Sequence, residues 1–434
     1  MSTLSRRTLL TGFGAAAGAG VLSGCLGGGS PSANAGKANN SKTIRLMNWE
    51  ALEGSPYPDV FKAFEKQTGY KINYEFGASG DAYWPKTRTV LGSNNPPDIM
   101  RIDDDFVAYY ASTGKLLDLR KNISASKLRA GDYYPAVYDN GKQPDGSIVA
   151  WSLGIQPRVI FYNKTLFKSA GVPLPPTTWS GDGWSWDDFL SAAKKLTTAG
   201  KRWGAAVIDD SGYEVIFPAN NGGQGRWAKD GSRFALSDAP DAQAVQWVAD
   251  LTCKEKVQPA WSVLNQDQRG QQMFIAGQIA MMERGSSLVP FLQQNMTKFD
   301  WDIAPIPAGK AQHTYGNQID FCIPAAAGNQ KGAWKLLEYL TTMDGAKFFS
   351  QQGSMVPGLK KAAALIKPTG KPPQHIDLIL DAVDNAILPG RVVQDEAAIN
   401  VYRPALDPVK TCQTTASKAL GAVSKQVDAI VGKK

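Results

Sequence analysis

The fold is decided by residues 43–76, which read TIRLMNWEALEGSPYPDVFKAFEKQTGYKINYEF. Residues 43–49 alternate loosely between apolar and polar side chains and predict a β-strand. The apolar residues that follow recur at helical spacing and predict a helix over residues 58–68, which Gly69 ends. Strict alternation over residues 70–76 predicts a second strand. A strand, a helix and a strand in this order form a βαβ unit, which predicts a largely parallel sheet.

The alternation of helices and strands continues along the chain. A helix is predicted at residues 82–91, a short buried strand at 97–102 and a longer strand at 148–162. Ser185 followed by Asp188 resembles a capping box and predicts the start of another helix. Further helices are predicted at residues 239–254, 267–276, 330–351 and 414–431. This pattern predicts the α/β fold class.

The first 25 residues contain the parts of an export signal in the correct order. Arg6 and Arg7 precede a short, Gly-rich apolar stretch. Paired arginines before such a stretch indicate a twin-arginine signal peptide over residues 1–24, rather than a transmembrane helix. Residues 22–25, LSGC, resemble the lipobox of bacterial lipoproteins, in which the cysteine, here Cys25, is lipidated. The alternative is an ordinary signal peptide with a chance cysteine.

Small and polar residues make up the next segment, residues 25–41. Such a segment behaves as a flexible tether with a reach of about 20–24 Å. No later stretch is long and apolar enough to span a membrane. The sequence therefore predicts a soluble body that a lipid anchors to the outer face of the bacterial cell membrane.

Composition narrows the choice of partner. The net charge of +8 falls to +6 when Arg6 and Arg7 leave with the signal peptide. The surplus is scattered along the chain without a basic run, which argues against nucleic acid as a partner. Twelve tryptophans are many for this length, and flat rings that stack on sugars are one reason to carry them.

Histidine and cysteine usage argues against two kinds of catalytic site. The two histidines, His313 and His375, have no His or Cys neighbour at metal-ligand spacing. A zinc site or a His-based catalytic triad is therefore not expected. With Cys25 assigned to lipid, Cys253, Cys322 and Cys412 leave two alternatives open: one disulfide with a free thiol, or no disulfide.

Several segments resemble, in order, the motifs of one protein family. They are FEKQTGYKI at residues 64–72, PDI at 97–99, GKLLDL at 114–119, VIFYNKTLF at 159–167, WDDF at 186–189, FIAGQIAMM at 274–282 and FDWDIAPIP at 299–307. The chain thus resembles the extracellular solute-binding proteins of carbohydrate ABC importers, which are similar to maltose-binding protein.

The resemblance implies an α/β fold of two lobes with a hinge and a ligand cleft between them. It places the N-terminal lobe at residues 42–154 plus 314–357 and the C-terminal lobe at 155–313 plus 358–434, with crossings near 153–157, 314 and 355–360. It further implies a monomeric binding protein, not an enzyme, that needs no cofactor or metal. Such a protein captures a sugar or oligosaccharide and delivers it to ABC permease subunits in the membrane.

Ligand-binding candidates follow the predicted strands, because ligands in open α/β sheets bind beyond the C-terminal strand ends. In the N-terminal half they are Trp49, Glu50, Asp81, Trp84, Asp103 and Asp104. A carboxylate can accept hydrogen bonds from sugar hydroxyls, and a tryptophan ring can stack on a sugar. The alternatives are ordinary loop acids and a core tryptophan. The run of acids at 103–105 lacks EF-hand spacing, so a calcium site is not predicted.

The remaining candidates come from the resemblance. They are Gln156 at the first crossing, Tyr213 and Asn220 before a Gly-Gly pair, Arg284 and Ser286 after the FIAGQIAMM segment, Asn317, Gln318 and Asp320 at a strand start, and Arg391 in a late loop. The chain departs from the family where a Gly-x-Trp motif is replaced by Glu-Arg-Gly after Met282. A stacking ring is therefore absent at that position.

The nature of the ligand stays open at this point. Arg284 and Arg391 favour an acidic or phosphorylated solute, whereas Glu50, Asp103 and Asp320 favour a neutral or amino sugar. A binder of a non-sugar or phosphorylated solute with the same fold is thus one alternative. A secreted glycan hydrolase is another, because acids and aromatic rings in a cleft are also typical of glycosidases.

Overall fold

The predicted βαβ unit is present at the start of the described chain. Strand β1 spans Thr43–Asn48, and helix α1 spans Tyr57–Thr68. Helix α1 ends where Gly69 adopts a φ of 69°, a left-handed conformation that glycine accepts without steric cost. Strand β2, Lys71–Phe76, pairs in parallel with β1 over its whole length.

The computed structural model describes residues 41–77, 83–103, 106–180, 183–208, 212–266, 268–388 and 390–432. These residues belong to one compact unit. The predicted signal peptide, Cys25, Asp81 and Asp104 lie outside them, as does the tether up to residue 40. The backbone of Asp103 is described, but its side chain is not.

The remaining strands and helices alternate along the chain. The strands are β3 (Ile99–Asp103), β4 (Trp151–Asn163), β5 (Trp203–Ala206), β6 (Ile279–Gly285), β7 (Trp301–Ala304), β8 (Thr314–Cys322), β9 (Val356–Pro357) and β10 (Ala386–Ile387). The helices are α2 (Tyr83–Gly92), α3 (Val107–Ser112), α4 (Arg120–Ala125), α5 (Pro135–Asp139), α6 (Lys164–Ser169), α7 (Trp186–Leu196), α8 (Tyr213–Asn220), α9 (Ala239–Cys253), α10 (Trp261–Leu264), α11 (Arg269–Ile275), α12 (Leu288–Asn295), α13 (Gln330–Thr341), α14 (Met343–Gln352), α15 (Lys360–Ala363), α16 (Leu378–Asp384), α17 (Asp395–Lys410) and α18 (Ala416–Val431).

Strand β4 joins two groups of strands. Hydrogen-bonded neighbours follow the order β2-β1-β3-β8-β4-β6-β5. The first part of β4 pairs with β8 and β9, and its second part pairs with β6 and β7. All 13 residues of β4 are buried. One strand therefore serves both halves of the structure.

The sheet is mixed, so the prediction of a largely parallel sheet is wrong. Strand β1 is parallel to β2 and β3, and β5 is parallel to β6. However, β4 runs antiparallel to β6, β7, β8 and β9, and β3 runs antiparallel to β8. The prediction failed because it extended the first βαβ unit to strands that arrive by long connections.

Two apolar cores cover the strands. One packs α1, α13 and α14 against β1 and β8, with Phe64, Leu336 and Phe349 at its centre. The other packs α7, α9, α17 and α18 around the second part of β4. Burial of each large apolar side chain contributes about 1.5–3 kcal/mol, so these cores hold the strands that carry the cleft residues.

Most predicted helices are confirmed, and two local features differ. The capping box at Ser185 and Asp188 is formed at the start of α7. The helix predicted over 330–351 is interrupted at Thr342, whose backbone is extended. Helix α17 was not predicted, because it contains Pro404 and Pro408, which normally end helices. Within the described ranges, no helix is both long and apolar enough to cross a bilayer.

A disulfide decides between the alternatives left open by the cysteine count. Cys253, at the end of α9, is bonded to Cys412, which follows α17, with their Cα atoms 5.5 Å apart. Cys322 is buried with a free thiol. The disulfide thus fastens the end of α17 to α9.

Candidate ligand-binding cleft

A cleft of about 1330 Å³ opens beside the middle of β4. One wall is formed by the loop after β1, the start of α2 and Arg101 of β3. Helices α10, α11, α12 and α17 and the start of α8 contribute the other side, and β4 and β8 each contribute side chains between them. In the parts of the chain that are described, no group of three or more His, Cys, Asp or Glu side chains could hold a metal ion.

Arg101 fixes the residues that follow β1. Its side chain is 1% exposed. The guanidinium carbon lies 4.4 Å from the ring centroid of Trp49, and Nη1 lies 3.3 Å from Glu50 Oε2. Burial raises the pKa of Glu50, and the positive charge of Arg101 opposes that rise. Trp49 and Glu50 are therefore held in place by one buried cation.

Aromatic rings form the wall behind this ion pair. Trp49 makes edge-to-face contacts with Tyr83 and Trp84, with ring centroids 5.6 and 5.0 Å apart. The ring centroids of Trp84 and Phe106 are 4.4 Å apart. The Tyr83 hydroxyl donates a hydrogen bond to the Arg101 carbonyl at 2.8 Å. Such contacts restrain the rings, so the wall presents a preformed apolar surface to a ligand.

Most cationic side chains of the cleft form ion pairs with acidic side chains. Besides the Arg101–Glu50 pair, ion pairs between described residues with at least one member in the lining include Arg88–Glu396, Arg158–Glu283, Arg403–Glu214 and Lys410–Asp407. The second of these is two-pronged, with Nη2 3.1 Å from Oε2. A ligand that carried its own charge would compete with these internal partners. The arrangement therefore favours a neutral ligand.

Lys410 contributes a partly desolvated cation beside a second tryptophan. Its Nζ atom lies 4.1 Å from the ring centroid of Trp261 and 3.5 Å from Asp407 Oδ1. Burial lowers the pKa of Lys410, and the neighbouring acids Glu214 and Asp407 oppose that change. Trp261 thus has one contact to a cation inside the cleft.

Seven of the residues singled out from the sequence line this cleft. They are Trp49, Glu50, Trp84, Gln156, Tyr213, Arg284 and Asn317. Gln156 of β4 stands directly opposite Asn317 of β8 in the antiparallel pair. Side chains that are opposite in such a pair project from the same face of the sheet. Two carboxamides are thereby brought side by side in the cleft.

Two further candidates, Asn220 and Ser286, make hydrogen bonds to the backbone. Asn220 is fully buried; its amide donates to the His313 carbonyl at 3.1 Å and accepts from the His313 N–H at 2.6 Å. The Ser286 hydroxyl donates to the Ser354 carbonyl at 3.2 Å. Neither side chain is among those that line the cleft.

Gln318, Asp320 and Arg391 also lie outside the lining. The Gln318 amide donates to the Ala136 carbonyl at 3.1 Å. Asn140 donates from its amide to Asp320, and its two oxygens accept from the Arg391 guanidinium. The bidentate contact expected of Arg391 thus goes to Asn140 in this structure.

Several cleft residues were not found from the sequence. Arg101 and Arg158 carried a usable signal, because each is a charged residue inside a predicted buried strand. Trp261 and Phe291 lie on short helices and had no such signal. They add two aromatic rings to the cleft lining of a chain that lacks the tryptophan of the Gly-x-Trp motif.

Comparison with known proteins decides the family. The model of the bacterial extracellular solute-binding protein family matches residues 48–347. The chain belongs to this family. A relative of this solute-binding protein, a putative binding protein of Brucella abortus, is 24% identical over 345 residues, which are 77% of this chain and 79% of the relative.

Solved structures show the same fold. An ABC substrate-binding protein of Listeria monocytogenes in complex with cycloalternan superposes with a TM-score of 0.81 at 22% identity, over 91% of this chain and 100% of the other. An ABC transporter solute-binding protein of Thermotoga lettingae bound with α-D-tagatose gives 0.79 at 21% identity, over 90% and 100%. The α/β fold class with two lobes is thereby confirmed. The family and these neighbours are binding proteins.

Proposed function

We propose that this solute-binding protein captures a neutral sugar or oligosaccharide in the cleft and delivers it to an ABC permease in the membrane. One observation carries the proposal. The cleft combines aromatic rings and uncharged amides with arginines that already form ion pairs with acidic side chains. A polyhydroxylated ligand needs rings to cover its C–H faces and groups that both donate and accept for its hydroxyls. The ligands of the two structural neighbours, cycloalternan and tagatose, are both carbohydrates.

A phosphorylated solute fits the cleft less well. Phosphate recognition uses cations that can form short, charge-assisted hydrogen bonds to the ligand. Here Arg101, Arg158 and Arg403 each lie within 3.5 Å of a carboxylate oxygen, at 3.3 Å from Glu50, 3.1 Å from Glu283 and 3.4 Å from Glu214. Binding a phosphate would place it against these acids, at a cost in repulsion and desolvation.

The lobe boundaries predicted from the sequence fit this proposal. The predicted crossings near 153–157, 314 and 355–360 fall on β4, β8 and β9, and β9 pairs with Gly154 and Ile155. With these boundaries, the ion pair between Arg88 of α2 and Glu396 of α17 connects one lobe to the other. Ligand binding would then shift the population towards the closed arrangement.

We expect neutral sugars, and not their phosphate esters, to stabilise the purified protein. A ligand at about 100 times its dissociation constant adds about 2.7 kcal/mol, which for a chain of this size raises the melting temperature by about 3 °C. The measurement is a thermal shift over a panel of mono- and oligosaccharides, with the matching sugar phosphates beside them. A shift with the phosphates alone would favour the phosphorylated-solute alternative and contradict the proposal.

The proposal includes a lipid on Cys25, supported by the LSGC motif at residues 22–25 and the arginine pair before it. We expect Cys25→Ser to move the protein from the membrane fraction to the soluble extracytoplasmic fraction of its bacterial host. The Cys322→Ser variant is the control, because that thiol is buried in the folded body. Retention of Cys25→Ser in the membrane fraction would contradict lipid anchoring.

A further inference from the structure

Six carboxamide side chains are concentrated on one part of the cleft lining. They are Asn265, Gln266, Gln268, Gln271, Gln294 and Asn295, and they are called the amide wall below. Four come from the segment that joins α10 to α11 and from α11 itself, and two come from the end of α12. Gln271 is partly buried and the other five are exposed. The rings of Trp261 and Phe291 lie on the same elements and also face the cleft.

The amide wall makes little contribution to the scaffold. Gln266 donates to the Ser262 carbonyl at 3.2 Å, and Asn295 donates to the Phe291 carbonyl at 2.9 Å, both within one helical turn. For Gln271 and Gln294, no side-chain hydrogen bond to any other described residue is found. Their donors and acceptors therefore face solvent in the cleft and are available to a ligand.

The position of the amide wall relative to Trp49 is set by the loop after β1. Gly54 in this loop has a φ of 74° and lies against α12. A Cβ atom on Gly54 would be 3.8 Å from Gln294 Oε1 and 4.0 Å from the Phe291 Cα. The loop thus leads from Trp49 and Glu50 to the amide wall. A ligand that contacts Trp49 reaches the wall by extending along this loop.

The size of the cleft leaves room for such an extended ligand. Its volume of about 1330 Å³ exceeds the roughly 300–1,000 Å³ of ordinary small-molecule sites. A single monosaccharide would leave most of it to water. The chemistry of the wall is also suited to further sugar units, since a carboxamide donates and accepts hydrogen bonds and carries no charge.

We infer that the amide wall is a second subsite, which binds the outer units of an oligosaccharide whose first unit contacts Trp49 and Glu50. This inference rests on the proposed sugar-binding function and deepens it. The ligand is an oligomer, and contacts with the amide wall make the affinity depend on its length. A monosaccharide would bind without using the wall.

The test uses calorimetric titration of the purified protein with three ladders: glucose to maltohexaose, glucose to cellohexaose, and N-acetylglucosamine to chitohexaose. The wild-type affinity is expected to rise with chain length in the ladder that binds. The Gln271→Ala/Gln294→Ala variant is expected to bind the longest member about tenfold more weakly, as for two hydrogen bonds of ordinary net strength. Its affinity for the shortest member that binds should stay unchanged.

The chain offers a matched control in the adjacent residues. Gln272 and Gln293 are exposed on the same two helices but do not line the cleft; Gln293 donates an exposed hydrogen bond to the Pro372 carbonyl, at 3.1 Å. Gln272→Ala/Gln293→Ala should therefore match the wild type with every ligand. Wild-type affinity that does not depend on length, or equal losses for short and long members in the cleft-facing variant, would overturn the inference and leave the proposed function intact. No binding in any ladder, together with no thermal shift by any other sugar, would overturn both.

Discussion

Replacing both Cys253 and Cys412 with serine is expected to lower the free energy of unfolding by about 4 kcal/mol. The disulfide closes a loop with a sequence separation of 159 residues, and a cross-link over so long a loop removes much entropy from the unfolded chain. The bond also holds the end of α17, which carries Arg403, Asp407 and Lys410 into the cleft. Loss of the bond should therefore loosen one side of the cleft as well.

The measurement is urea denaturation of the wild type and the double variant, each with and without a thiol reductant. The reductant should destabilise the wild type and leave the double variant unchanged. Cys322 is a free thiol in both proteins, so it does not contribute to a stability difference between the wild type and the double variant. Equal stability of the oxidised and reduced wild type would contradict the prediction.

The second large effect is expected for Glu283→Gln, which should lower the free energy of unfolding by about 3 kcal/mol. The Glu283 side chain is 1% exposed, and its partner Arg158 is 11% exposed. Removal of the carboxylate charge leaves the guanidinium of Arg158 desolvated without its two-pronged partner. The large cost comes from the loss of the buried opposite charge beside a desolvated guanidinium rather than from the lost hydrogen bond itself.

Two comparisons isolate this effect in the same denaturation experiment. Replacing the pair with apolar residues, as in Arg158→Met/Glu283→Leu, should recover much of the loss, because both buried charges of the pair are then removed together. Glu255→Gln removes the acid of an exposed pair with Lys194 and should change stability by less than about 1 kcal/mol. A loss for Glu283→Gln no greater than that for Glu255→Gln would show that burial does not control the cost.

The sequence was sufficient to predict those helices and strands that a local pattern of residues defines. Strand β2 alternates strictly and α7 begins with a capping box, so both were predicted close to their observed bounds. Helix α17 was missed because Pro404 and Pro408 argue against a helix locally, whereas its packing against α18 and α9 stabilises it. The Cys253–Cys412 pairing depends on two helices meeting in space, which no spacing along the chain reveals.

The same distinction applies to the cleft. Trp49 and Glu50 were found because they follow the first strand directly, where the fold class places ligands. The amide wall was not found, because exposed glutamines on a short helix look the same in sequence whether they face a ligand or bulk water. Gln271 and Gln272 are adjacent and identical, yet the first lines the cleft and the second does not. Only the orientation of α11 separates them.

Strand β4 also has a consequence for how the chain reaches its native state. The strands that pair with it, β6, β7, β8 and β9, all come later in the sequence. During synthesis this apolar segment therefore emerges long before any strand that can cover its edges. Its pairings join residues far apart in sequence, which slows folding and prolongs the exposure of an aggregation-prone strand. The edges of β4 therefore stay without these partner strands in the nascent chain until β8 and β9 have been made.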